Sequence, residues 1–575
     1  MSEKDIQLVK LFQKRIKSFE DTYKEEHDKW RTLFFLYRGD EDLAPGRGDT
    51  EALYNVKLIF SVVRNFIPSL VISDPDILLF PRKMESMKDV ATVQRVANYY
   101  WRELKIKDEL KKVILDVLIY GTGFMKLGWA FSVGMLPVAR ENKEEDLGNQ
   151  KTFQPNEFIK KDAPFVTRVS PFLLRWDMQA RSLAESRWVA EKIVRPVEVI
   201  KRNSAYDQSV TNKIQPTHVG LQDVLFNSCD EDEANLVEND PDKYAVIYEV
   251  HDKERGLLIT LHPTQEKPLR IQKYPYPNLE GTHFCSLVLD EQPDRLEGLS
   301  VVDNIKSPAQ AVTRVRSLQT DHIKNMSRVY AVKSEDFSEA DVLKVQNAKN
   351  GSAVRTEGDP RSYHLIPTPP ISPDSYRVAD QGETDVFRTA GLAPSTVGQK
   401  LGGRTSATEA GQIGAGEAQR MENARTVVED FAADITRKLI QIIGNKLSDE
   451  EVVLIVGEEN FTPFKYTKKQ LQGEFSYAVK AGSMTKPNRE VLRQQLLNLL
   501  NISQQDPIIN RKELWRLVLE TYDAPDIEKI LTPPPAQPPG GGQVADETLL
   551  QQEAPPSQED LVANNASASR LGRGE

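Results

Sequence analysis

The chain has little cysteine and almost none of the short motifs that carry chemistry. Two cysteines, Cys229 and Cys285, give no disulfide framework, which excludes a small stapled scaffold and fits a reducing compartment. The seven histidines include no pair at the i, i+4 spacing of helical metal ligands. A Gly-x4-Gly-Lys-Ser/Thr cradle, His-Glu-x-x-His, Cys-x-x-Cys and Gly-x-Ser-x-Gly are all missing, so the usual signatures of nucleotide hydrolysis, zinc catalysis, dithiol exchange and serine nucleophiles are not there. Neither an enzymatic activity nor a cofactor or metal is expected. Long apolar runs are lacking too. The best of them, Val56 to Ile72, is interrupted by Lys57, Arg64 and Pro68, whereas a membrane span wants about twenty predominantly apolar residues. The opening Met1-Ser-Glu-Lys-Asp5 is charged, so no signal peptide is expected.

What is present is apolar material in helical register. Hydrophobic residues make up 39% of 575, which supports a sizeable core divided among about two to four subdomains. The net charge of −10 excludes a protein that coats nucleic acid over its whole surface, because that needs clustered Lys and Arg. It leaves room for a local basic feature, or for a passage in which DNA slides without sticking.

The stretch from Gly298 to Leu447 organises the rest. Ser307, Pro308 and Gln310 stand where N-cap, N1 and N3 of a helix would be, so a helix is expected to start near Ser307. From it run Val312, Val315, Gln319, His322 and Met326, a stripe for a partner, with Arg314, Arg316 and Lys324 pointing elsewhere. His322 is read as packed rather than ligating. A polar, strand-like insert and a second helix, about Asp374 to Thr389, follow. Ala393 to Ala407, with three glycines, Pro394, Lys400 and Arg404, reads as an exposed loop. Ser406 and Glu409 form another capping box, after which Met421, Val428, Phe431, Ile435, Leu439 and Ile442 mark a very long helix; Gly411, Gly414 and Gly416 predict a kink near its start.

Elsewhere the spacing predicts a first helix with the stripe Leu8, Phe12, Phe19, Tyr23, Trp30, Phe34 and Tyr37, packed on its own domain. Further helices are expected at Asn55 to Ser69, Val90 to Leu104 and Asp108 to Leu118, with an extended Asp74 to Pro81 between them. Gly121 and Gly123 lie between helix and strand, the reverse of a dinucleotide loop, and predict a tight turn. Glu141 to Lys161 reads as a charged insertion, Phe165 to Asp177 as one strand, and Arg187 to Asn203 as a strand and a helix opened at Pro196. Tyr244 to His262 reads as a hairpin and Phe284 to Leu289 as a strand. Asp230 to Asp242 lacks calcium-loop spacing and reads as a solvated loop. Val452 to Val456 is an expected strand, Asn488 to Leu500 and Asn510 to Thr521 are expected helices, and the chain after Thr532 has the composition of a disordered tail. The expected class is α+β, rich in helix.

Four stretches in this order carry a family resemblance: Asn55 to Pro81 with Asp74-Pro-Asp-Ile-Leu-Leu-Phe-Pro81; Tyr120-Gly-Thr-Gly-Phe-Met-Lys-Leu-Gly-Trp129; Val169-Ser-Pro-Phe172 through Trp188-Val-Ala-Glu191; and Gly298 to Met326. The chain resembles the portal proteins of tailed bacteriophages, the head-to-tail connector ring at one capsid vertex through which DNA is packaged and ejected. The resemblance implies a wing (1–298, with β-rich parts 163–195 and 244–290), a stem helix (299–328), a clip (329–370), a second stem helix (371–392) and a tunnel loop (393–407). A long kinked helix returning to the wing (408–470), crown helices (471–531) and a disordered tail (532–575) follow. It implies a homo-oligomeric ring of twelve subunits around double-stranded DNA, with Gln399, Lys400 and Arg404 facing the DNA. Arg314, Arg316, Lys324 and Arg328 become candidate channel-lining residues, and Tyr330, Val332, Val354 and Arg355 candidate docking residues of the clip. The implied partners are the terminase large subunit, the major capsid and scaffolding proteins, and a head-tail adaptor or tail proteins. The implied location is the virion's portal vertex, reached by way of the host cytoplasm. Two other readings compete: a scaffold or head-tail joining protein, since the stripes at 8–37 and 421–442 could pair helices, and a DNA-packaging enzyme, which would need the missing phosphate cradle and acidic metal site.

Overall fold

The computed structural model describes residues 3–40, 55–139, 153–216, 243–325, 330–332, 338–346, 363–365, 371–392, 407–446, 450–453, 464–471, 473–480, 483–484, 496–500, 502, 511–522 and 531. The chain forms two compact units, Met1–Lys486 and Pro487–Glu575.

In the first unit α1 (Glu3–Arg38) spends its aromatic stripe on its own core. Phe12, Phe19, Trp30 and Tyr37 are buried, and Leu8, Tyr23 and Phe34 pack beside them. The next helix, α2 (Leu58–Leu70), starts later than Asn55 because Asn55 acts as the entry clasp. Its Oδ1 accepts from the Lys57 N–H at 2.7 Å and its Nδ2 donates to the Gly39 carbonyl at 3.2 Å. The proline-bracketed segment that follows contains β1 (Ile77–Pro81).

α3 (Val90–Glu103) and α4 (Ile106–Tyr120) come next. α4 is the central helix: Leu110, Val113, Ile114, Val117 and Leu118 are all buried, so apolar surface on nearly every side draws neighbours around it. Its only charge at full burial, Asp116, is matched by the Arg168 guanidinium, which donates to both carboxylate oxygens at 2.6 and 2.7 Å. That satisfaction is what lets a carboxylate sit there.

Gly121 ends α4 with φ +84° and β2 (Gly123–Ala139) begins at once. β3 (Phe153–Val169) pairs antiparallel with β2 along their whole length, with one irregularity at Ser132/Val133. The expected charged insertion is therefore strand from Phe153 onward. A ladder is built from backbone groups, and Glu157, Lys160 and Lys161 do not oppose it. The expected strand from Phe165 to Asp177 is also divided: Pro171 opens a one-turn helix, Pro171–Leu173, that redirects the chain into β4 (Leu174–Trp176) of a different sheet.

That second sheet continues with β5 (Trp188–Pro196), then α5 (Val197–Arg202) and α6 (Gln208–Thr211), then β6 (Tyr244–Asp252), β7 (Leu257–Leu261) and β8 (Arg270–Lys273), in spatial order β4-β5-β6-β7-β8. Alternation along β6 assigns the faces. Val246, Tyr248 and Val250 pack under Val9, Phe12 and Ile16 of α1, while Ala245 and Ile247 pack with Val197, Ile200 and Val210 of α5 and α6. β9 (Phe284–Leu287) then returns to β2, giving the order β3-β2-β9. The two sheets are pinned by Lys126 of β2, which donates to Glu191 at 2.5 Å and Glu249 at 2.8 Å. Those two glutamates stand directly opposite each other on β5 and β6, a like-charge pair that only a shared cation relieves.

The remainder runs α7 (Val301–Asn325), β10 (Tyr330–Val332), α8 (Glu339–Gln346), β11 (Tyr363–Leu365), α9 (Pro373–Ala390), α10 (Ala407–Lys446), β12 (Glu450–Val453), β13 (Phe464–Thr467), α11 (Lys468–Leu471) and β14 (Phe475–Val479). β14 pairs antiparallel with β1, so the start of the expected crown, 471–531, belongs to the first unit. The second unit contains helical residues 496–500 and α12 (Arg511–Thr521) around Leu500, Leu514 and Val518. Helix and strand are mixed throughout, compatible with the α+β expectation. No described helix is long and apolar enough to cross a membrane.

Candidate functional site: a pair of antiparallel helices and their base

The two helices that the sequence singles out lie side by side and antiparallel. Val312 meets Gly382, Arg316 reaches Asp380 and Glu383, and Gln319 reaches Ser375, so numbers rise on α7 as they fall on α9. With 25 residues in α7 and 18 in α9, the two can run side by side for at most about 27 Å at the helical rise. Gly382 permits the close approach, since a Cβ there would sit 2.6 Å from Val312 Cγ2.

The start of α7 differs from expectation. It begins at Val301, with Pro308 inside it, and the cap is Ser300 rather than Ser307. Ser300 Oγ accepts from the Asp303 N–H at 3.1 Å and donates to the Ile119 carbonyl at 2.6 Å. One hydroxyl thus starts α7 and welds it to the end of α4. Beside it Gly121 and Gly298 touch backbone to backbone; a Cβ on Gly121 would fall 2.2 Å from the Gly298 carbonyl oxygen. Lys29 of α1 adds an ion pair to Asp303 at 2.9 Å. The start of α7 is therefore a tight joint among α1, α4 and α7, and neither glycine can be replaced without moving it.

At its C-terminus α9 closes on Gly391, φ +77°, and Leu392 folds back buried. α10 picks up at Ala407 and runs as one helix to Lys446. Its second half is locked into the core: Trp101 Nε1–H donates to Thr436 Oγ1 at 2.7 Å with both residues fully buried, and Lys438 donates to the Phe284 carbonyl at 2.8 Å.

Of the candidate residues, Arg316 is engaged within its own chain, donating to Glu383 at 2.9 Å and Asp380 at 3.4 Å. Arg314 is exposed. Lys324 lies on α7 and Arg328 falls outside the described residues. Tyr330 and Val332 form β10, which pairs antiparallel with β11 and so joins the two ends of the expected clip. Val354, Arg355, Gln399, Lys400, Arg404 and the acidic run 230–242 lie outside the described residues. His322 is half-buried with Nε2 unpartnered. Both stem helices carry exposed apolar residues: Leu318 and Ile323 on α7, Tyr376 and Val378 on α9. Among the described residues no group of three or more His, Cys, Asp or Glu could hold a metal. Sequence reading missed the Ser300 joint and the Lys126 pin. The signal for the pin was Glu191 next to the apolar Trp188-Val-Ala190 and Glu249 set between Tyr248 and Val250.

No curated protein matches the chain. A family model described as phage SU10 portal protein matches residues 161–567, a span that takes in the five-stranded sheet, α7, α9 and α10, and that starts within β3. With a match over well more than half its length, laid across the paired helices α7 and α9, the chain belongs to the phage SU10 portal protein family.

Proposed function

We propose that this portal protein assembles as a closed ring, of twelve subunits by the resemblance of its sequence, at one vertex of the capsid, and that double-stranded DNA enters and leaves through the hole. The reading rests chiefly on the antiparallel stem of α7 and α9, which presents Leu318, Ile323, Tyr376 and Val378 to solvent in a single chain. Exposed apolar residues on a rod are surface that a neighbouring copy can cover.

In a ring, one loop at 393–407 per subunit becomes a circle, so Lys400 and Arg404 each become a ring of positive charge that meets phosphates without reading bases. An acidic remainder keeps that attraction weak enough for sliding. The clip, from β10 to β11, would dock the terminase large subunit during packaging and a head-tail adaptor or tail proteins afterwards, with Tyr330, Val332, Val354 and Arg355 as contacts. The wing would meet the major capsid and scaffolding proteins. Assembly would take place in the host cytoplasm before the ring becomes part of the virion. Its part is structural rather than enzymatic.

Negative-stain imaging with mass measurement of the purified protein tests the reading: closed rings with a central hole wide enough for duplex DNA are expected. Monomers or open coils alone would overturn it.

A further inference from the structure

Away from α7 and α9, the two larger sheets of the first unit meet along a seam closed by aromatic and imidazole rings. His283 precedes β9 and is 4% exposed, and its carbonyl accepts from the Leu127 N–H of β2 at 2.9 Å. Its Nδ1 shares a hydrogen bond at 3.1 Å with the hydroxyl of Tyr274, the residue that follows β8. Tyr274 in turn stacks on His251 of β6, and the two imidazole centroids lie 5.6 Å apart. A chain of three rings therefore bridges from β2 and β9 to the five-stranded sheet. A cleft of about 320 Å³ opens on the same seam, with Ser182, Ala184 and Lys253 from the five-stranded side and Cys285 of β9 and Lys438 of α10 from the other.

The carboxylates near these rings are already bound. Glu191 of β5 and Glu249 of β6 both accept from Lys126. Asp252 accepts from Arg255 at 2.8 Å, and Asp434 of α10 is paired with Lys438 at 3.3 Å and with Arg437. The cations remain close: Lys126 of β2 and Lys438 of α10 face His283, while Lys253 lies beside His251 together with Glu249 and Asp252. His251 Nδ1 is buried without a hydrogen-bond partner, so a proton added there has no acceptor. Two imidazolium rings at this separation would also repel each other and the lysines.

We infer that this seam is a pH-sensitive latch: it stays closed while His251 and His283 are both neutral, and their protonation parts the five-stranded sheet from β2, β9 and α10 while the ladders inside each sheet stay paired. The inference stands apart from the ring reading and does not require it. Burial holds both imidazoles below their ordinary range. The closed seam therefore binds fewer protons than the open one, and the latch weakens as pH falls below 6.5.

Cys285 is 2% exposed at the seam and reports its opening. The test uses the full-length protein carrying Cys229→Ser, so that Cys285 is the single thiol, and follows its reaction with 4,4′-dithiodipyridine at pH 7.5 and pH 5. Each rate is divided by that of the denatured chain at the same pH. The corrected rate should rise at least about thirtyfold at pH 5, the share that His251 contributes when its pKa falls from 6.5 to about 4. His251→Phe keeps the stack on Tyr274 and should cut that rise about tenfold or more, with the rate at pH 7.5 unchanged. Ala97, fully buried on α3, gives the control: with Cys285→Ser, the thiol placed by Ala97→Cys should show no such rise, because the rest of the core stays closed. No rise at Cys285, a rise that His251→Phe leaves intact, or an equal rise for Ala97→Cys would each overturn the proposal.

Discussion

His251 offers a substitution whose effect should depend on pH in a direction fixed by burial. The ring is 2% exposed, stacks on Tyr274 with centroids 3.8 Å apart and planes 8° from parallel, and has a buried Nδ1 without a hydrogen-bond partner. Burial lowers its pKa from 6.5 to about 4. The folded state therefore binds fewer protons than the unfolded state between those values. Stability contributed by this residue is complete above pH 6.5 and is lost as pH falls toward 4. At about 1.36 kcal/mol per pKa unit, the loss is about 2 kcal/mol at pH 5 and approaches about 3 kcal/mol below pH 4. His251→Phe keeps a ring on Tyr274 and removes the titration, so it should stabilise the sheet at pH 5 by about 2 kcal/mol more than at pH 7.5. The measurement is hydrogen exchange of the β6 and β7 amides in wild type and variant at both pH values, corrected for intrinsic rates. An opening free-energy difference that is the same at pH 5 and pH 7.5 would refute the reasoning. His283, fully enclosed and lowered by burial and then by Lys126, should add loss of the same sign, so the variant should flatten the wild-type pH dependence without abolishing it.

Other tests follow from the joint, the core and the loop. Gly121→Ala forces a side chain into a left-handed backbone and toward the Gly298 carbonyl; a cost of about 2–5 kcal/mol is expected from conformation and overpacking together, read as a drop in melting temperature. Thr436→Val removes the acceptor of the buried Trp101 N–H and should cost about 1–3 kcal/mol, while Thr436→Ser should recover most of it in the same denaturation assay. Lys400→Ala combined with Arg404→Ala should leave ring assembly intact by electron microscopy and impair DNA retention in packaging assays; loss of the ring itself would show that the loop has another role.

Much of the local structure is readable from residue pattern alone. The α1 stripe, the apolar surface of α4, the Tyr244 to His262 hairpin and the end of α9 at Gly391 are each specified by neighbours in sequence: periodicity places the side chains, and glycine or proline closes the element. The boundaries that were misread share one cause. Ser307-Pro308 looks like a helix start because a proline is harmless there, but Ser300 wins since its hydroxyl also satisfies the Ile119 carbonyl, a partner far away in the chain. Phe153 to Lys161 looks like a loop because its charges hide a strand whose reason for being is the backbone ladder of β2. β14 looks like part of another domain until β1 is placed beside it.

The sequence by itself determined that the chain mixes helix and strand, that two helices flank a polar insert, that a glycine-bearing stretch precedes one very long helix, and that the usual catalytic signatures are missing. These follow from residue type and spacing, which act over a few positions. Only the tertiary structure decided that Arg316 is engaged by Asp380 and Glu383, that Lys126 holds two opposed glutamates and joins two sheets, and that Gly121 and Gly298 touch. Each of those depends on which distant residues share a few ångströms of space. That is set by the packing of the whole core, and no local pattern encodes it.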